Sequence, residues 1–124
     1  MGKDHKNLPF IKRLVFALNG VREVWKEERS FRTHVFLAFL TVVVALIVRV
    51  SFCDMALIII SIVSVLAAEI INTILENVID FFHPELDPKI KKIKDMSAAM
   101  VLIISAGALV VGVIILLRNL FLRL

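Results

Sequence analysis

Glu69, Asn72, Glu76 and Asp80 are the residues in this sequence whose types and spacing could do chemistry. At about 100° per residue they fall at roughly 0°, 300°, 340° and 20°, so four polar groups share one narrow helical stripe whose other faces are Ile, Leu and Val. The stripe continues directly from the apolar run Met55–Ala68. An ionisable side chain at membrane depth costs roughly 2.5–3.5 kcal/mol on insertion scales, so three on one face imply a site. Hard carboxylate oxygens suit Mg²⁺, which takes one or two ligands from protein and the rest from water and phosphates. Glu76 is suited to that role, as is Glu28 upstream. Carboxylates held at an apolar boundary are better bases than carboxylates in water, which makes Glu69 the candidate general base for an alcohol. Asn72 can orient it or hold a phosphate oxygen, and Lys94, beside Asp95, can neutralise charge on a transferring phosphoryl group.

The elements that must position these groups are membrane helices. Sixty per cent of the 124 residues are hydrophobic and the mean hydropathy is +0.92, whereas about 45–50% apolar is usual for a soluble domain. A single membrane domain over 1–124 is expected, all-α and too thin to enclose a pocket alone, so oligomerisation is the default. Asn7-Leu8-Pro9 reads as a helix start. Phe10, Leu14, Leu18, Val21 and Trp25 then recur at helical spacing beside Lys12, Arg13, Arg22 and Lys26. That pattern predicts an amphipathic helix lying in the bilayer surface within residues 1–34, with Gly20 as a point of bending.

Three spans are predicted, near 35–50, 55–80 and 88–118, the first extended by Phe31 and His34. Arg49–Asp54 reads as a tight reversal with compensating charges, and Phe81–Pro88, with two prolines, as a loop. Asp87 and Pro88 restart a helix as cap and first residue. Lys89, Lys91, Lys92 and Lys94 crowd its first turns against the macrodipole, which favours a nearby anion such as phosphate. Ala98, Ser105 and Gly112, with Ala99 and Ala106 beside them, predict a small-residue seam for close helix packing.

Lys3, Lys6, Lys12, Arg13, Arg22, Lys26, Arg29 and Arg32 precede the first span, and four more lysines follow the second, against Arg49, Arg118 and Arg123 on the other side. The positive-inside rule therefore puts the acidic stripe on the cytoplasmic face. The basic surface suits anionic lipid, and no nucleic-acid partner is expected. Cys53 is the sole cysteine, so no intramolecular disulfide forms. No signal peptide is expected. Glycine-rich phosphate loops of the soluble kinase type do not occur, and His5, His34 and His83 lack metal-ligand spacing. On the residues alone, the stripe is open to three readings: a catalytic site, a cation path and a polar network that pairs helices.

Glu69-Ile-Ile-Asn-Thr-Ile-Leu-Glu-Asn-Val-Ile-Asp80, followed by Lys94-Asp95-Met-Ser-Ala-Ala-Met-Val-Leu, closely resembles the signature of the prokaryotic diacylglycerol kinase family. Asn19-Gly20, Trp25 and Glu28-Arg-Ser-Phe-Arg-Thr-His34 also fit. The resemblance implies a multi-pass kinase of the bacterial plasma membrane with a surface helix and three spans. It further implies a homotrimer with sites at subunit boundaries, using ATP and Mg²⁺ on a membrane lipid. By that resemblance Glu69 is the base, Glu28 and Glu76 hold the metal carried by ATP, Asn72, Asp80, Lys94 and Asp95 complete the nucleotide site, and Phe31 and Arg32 lie with Glu69 near the lipid. Ile74 and Asn77 depart from the family's small residues. Asn19-Gly20, the 28–34 segment and Ala98 look like the undecaprenol kinase branch, so undecaprenol is the favoured acceptor, with diacylglycerol the alternative.

Overall fold

A computed structural model describes residues 8–85 and 87–122. Four helices follow one another: α1 Phe10–Glu27, α2 Arg29–Val48, α3 Phe52–Phe82 and α4 Pro88–Phe121. Pro9 occupies the cap position of α1, and its carbonyl accepts from Lys12 N at 2.9 Å. Asn7, the expected cap, lies outside the described residues. The helix continues through Gly20 without a break in its helical span. Phe10, Leu14, Leu18 and Trp25 remain exposed, and α1 packs chiefly on α2, touching α3 where Glu27 accepts from Asn77. Its apolar stripe is thus left for a bilayer surface.

The surface helix ends at Glu28, which is extended (φ −105°, ψ 109°), inside the 1–34 segment. Length explains the position of the turn. The uncharged run Val35–Val48 would rise only about 21 Å, whereas the 20 residues of α2 rise about 30 Å, the thickness of a hydrocarbon core. Arg29–His34 are therefore drawn into the first span. Three helices, α2, α3 and α4, are long and apolar enough to cross a membrane.

Local chemistry fixes the turns. Arg49 takes the left-handed conformation (φ 55°, ψ 53°) at the end of α2, its N–H donating to Leu46 O and that of Val50 to Ala45 O, both at 3.1 Å. This is the Schellman arrangement, usually built on glycine. The hydrophobic contact that accompanies it is also present, since Val50 packs against the cluster of Ala45, Ile58 and Ile115. Ser51 Oγ then caps α3 by accepting from Asp54 N at 3.1 Å. Phe52 to Asp54 are helical, so the reversal is shorter than expected.

At the other end, Phe81 and Phe82 complete α3 instead of joining the loop. Proline restricts chiefly the residue just before it, and His83, preceding Pro84, is where the helix stops (φ −138°, ψ 76°). Asp87 caps α4 through Lys89 N at 2.7 Å, with Pro88 as first helical residue, as its sequence predicts.

α3 is the central element, packing on α2 along one side and α4 along another. Between α2 and α4 runs an open apolar groove of about 580 Å³, with Leu37, Thr41 and Val44 on one wall, Ser105 and Gly112 on the other and Val65 in its floor. The small-residue seam of α4 is largely left open within the chain: a methyl group on Gly112 would meet nothing within 4 Å. Ser105 Oγ is buried there without a hydrogen-bond partner among the described residues.

Candidate functional site

The 31 residues of α3 rise about 46 Å, well beyond a hydrocarbon core of about 30 Å. Measured from Asp54 in its first turn, Glu69 lies roughly 22 Å along the axis, Glu76 about 33 Å and Asp80 about 39 Å. In a bilayer whose opposite boundary lies at Asp54, Glu69 would fall at acyl-chain depth and the other two acids would project beyond it. The polar stripe would then cross the boundary between oil and water.

Glu69 is 4% exposed. Its Oε1 accepts from Ser30 Oγ at 2.7 Å and lies 2.9 Å from His34 Nε2, so two side chains of α2 converge on one oxygen. Thr73, also buried, donates its hydroxyl to the Glu69 carbonyl at 3.0 Å, satisfying the residue's backbone acceptor. One turn along, Asn72 is held from both sides. Ser97 Oγ of α4 donates to Asn72 Oδ1 at 2.6 Å, and Asn72 Nδ2 donates to Glu76 Oε1 at 3.0 Å. The serine thus fixes the amide so that its NH₂ faces the carboxylate.

Lys94 Nζ donates to Asp80 Oδ1, bringing together two of the expected nucleotide residues. Asp95 instead pairs with Lys91 at 2.7 Å on an exposed face of α4. These two acids, with the Asp87 cap, partly offset the lysines crowding that helix start. Glu28 is half-buried at the junction of α1 and α2 and makes no ion pair among the described residues. Its neighbour Glu27 accepts from Asn77 Nδ2 at 3.4 Å, which sets the junction beside the Glu76 turn. Phe31 is buried. Arg32 donates to the carbonyls of Trp25 at 2.6 Å and Lys26 at 3.0 Å, capping the end of α1. On the exposed face of α1, the Lys26 ammonium bonds Glu23 at 2.9 Å and holds that carboxyl below its ordinary value of 4.5.

Ser30, His34 and Ser97 escape the sequence reading as site residues. The available signal was a serine and a histidine one helical turn apart at the head of an apolar span, a spacing that places both on one face. No comparable pattern marks Ser97. A second polar cluster stands at the far end of the bundle. There Asp54, 2% exposed, accepts from Arg118 and, at 3.5 Å, from Asn119. The charge that compensates Asp54 is therefore in α4 and not the adjacent Arg49.

Residues 15–116 match the family model described as prokaryotic diacylglycerol kinase. A diacylglycerol kinase of Helicobacter pylori (strain ATCC 700392 / 26695) is 35% identical over 92 residues, 74% of this chain and 72% of that protein. One from Escherichia coli (strain K12) is 34% identical over 104 residues, 84% of this chain and 82% of its own length.

Proposed function

This chain belongs to the prokaryotic diacylglycerol kinase family and is a membrane lipid kinase, and we propose that it transfers the γ-phosphate of ATP to a lipid hydroxyl at the edge of the inner leaflet, with Glu69 as base. The observation that carries the assignment is Glu69, a carboxylate 4% exposed at acyl-chain depth, on the same stripe as acids that reach water. In the transfer, Glu69 takes the hydroxyl proton while the lipid oxygen forms its bond to the γ-phosphorus. The bond from that phosphorus to the bridging oxygen breaks and ADP leaves with the electron pair. Lys94, steadied by Asp80, would balance phosphate charge.

Mg²⁺ arriving with ATP supplies charge neutralisation on the phosphates. The donor set fits it. Glu76 and Glu28 offer hard oxygens, and no group of three or more metal-binding side chains gathers among the described residues, so the remaining ligands would be phosphates and water. Asn72, Asp80, Lys94 and Asp95 are assigned to the nucleotide, and Phe31 and Arg32 to the lipid side. The surplus of Lys and Arg on the Glu76 side supports a cytoplasmic active face in the bacterial inner membrane. The open groove and largely open seam of α4 support assembly as a homotrimer with sites at subunit boundaries.

Diacylglycerol stands first as acceptor, because both relatives carry that name. Undecaprenol is the second reading, favoured by the 28–34 segment that resembles its branch and supplies Ser30 and His34 to Glu69. The test is purified protein in detergent with labelled ATP, Mg²⁺ and either lipid. Phosphorylation of one lipid identifies the acceptor. Glu69→Gln is expected to lose turnover by at least about 10²-fold while still binding nucleotide. Undiminished turnover in that variant would remove the base assignment.

A further inference from the structure

Two side chains of α2 meet on a single oxygen of Glu69, Ser30 through a hydrogen bond and His34 through an ion-pair contact. Ser30 Oγ lies 2.7 Å and His34 Nε2 2.9 Å from Oε1, whereas Oε2 accepts no hydrogen bond from any described residue and is not among the sealed, unpartnered polar atoms. A carboxylate with one oxygen doubly engaged and the other open is no longer symmetric. We propose that Ser30 and His34 are positioning residues that divide the labour of the Glu69 carboxylate, Oε1 being the held end and Oε2 the end that takes the proton of the acceptor hydroxyl.

The inference rests on Glu69 being the base, and the physics is that of a fixed near-attack geometry. A free carboxylate rotates about its last torsion and presents either oxygen in many directions; the Ser30 hydrogen bond and the His34 contact one turn along α2 remove that freedom before substrate arrives. Ser30 and His34 rise from the start of α2, so this clamp also ties the depth of Glu69 to the first span. His34 also lines the apolar groove. Proton balance is simple: the hydroxyl proton moves to Oε2, and the bonds into Oε1 persist through the transfer.

The test uses the full chain in vesicles with Mg²⁺, ATP and the lipid that the wild type phosphorylates. Ser30→Ala and His34→Phe are each expected to lower kcat on the order of 10- to 100-fold, with KM for ATP changed less than about twofold. The double variant should lose less than the product of the two, because the donors act as a unit. His34→Gln, which keeps an N–H donor, should recover most of the rate. Should His34→Phe fail to fold, Ser30→Ala and His34→Gln carry the test. Wild-type kcat in both Ser30→Ala and His34→Phe would overturn the proposal, as would equal losses in His34→Gln and His34→Phe, which would mean ring packing alone. Glu69→Gln run alongside separates the failures. If it is inactive while the clamp variants are normal, only the clamp is wrong; if it is active, the base assignment itself falls.

Discussion

Asp54 in the first turn of α3 and Arg118 near the end of α4 form an ion pair at the end of the bundle opposite Glu69. The carboxylate is 2% exposed and the arginine is half-exposed, so the acid depends on its partner far more than the base does. Asn119 and the Ser51 cap complete the cluster.

That asymmetry predicts an order of damage. Arg118→Ala leaves Asp54 buried with only the neutral Asn119 and Ser51 beside it, and should lower the thermal unfolding midpoint in detergent more than Asp54→Asn, which removes the charge along with the need to balance it. Arg118→Lys should fall between wild type and Arg118→Ala. Turnover per folded molecule should stay at the wild-type level in all three. Equal midpoints for Arg118→Ala and wild type would show that the pair does not join α3 to α4.

Ser97 donates to Asn72 and Asn72 to Glu76. Ser97→Ala frees the amide to turn its oxygen toward the Glu76 carboxylate, at a cost of about 1 kcal/mol for the lost bond. Expected is a rise of roughly 3- to 10-fold in KM for Mg·ATP, with KM for lipid unchanged. Steady-state kinetics varying each substrate in turn checks it, and Ser97→Thr should restore the wild-type value.

Lys94 reaches Asp80 across the loop that joins α3 to α4. Lys94→Met should reduce kcat on the order of 10²- to 10³-fold through lost phosphate neutralisation. Asp80→Asn leaves the ammonium in place but less firmly directed, so its loss should be smaller. A larger loss for Asp80→Asn than for Lys94→Met, measured side by side, would reverse the roles given to them.

Much of this was legible because it is local. The Asp87–Pro88 start of α4 follows from two adjacent residues, and the polar stripe from helical spacing within one segment. The reversal after α2 was legible as a turn, but not its form: nothing in the sequence marks Arg49 for the left-handed conformation that glycine usually takes. The end of α1 at Glu28 follows from the length a span needs, which draws Arg29–His34 into α2. Ser30, His34 and Ser97 depend on the register of α2 and α4 against α3, which no single segment encodes. The same is true of Asp54, whose partner lies on another helix beyond a whole crossing of the membrane. Conversely, the packing seam of α4 is plain in the sequence and largely left open by this chain alone.

The depth of Glu69 has a further consequence. With the Asp54–Arg118 cluster held at one boundary, the distance from there to the carboxylate, about 22 Å along α3, is a fixed ruler, whereas the surrounding lipid is not. Lengthening or shortening the acyl tails of the host bilayer would carry the headgroup plane past Glu69, or strand it short, by several ångströms. The enzyme would then sense membrane thickness through the height at which an acceptor alcohol is presented, and its rate would peak in one particular chain length.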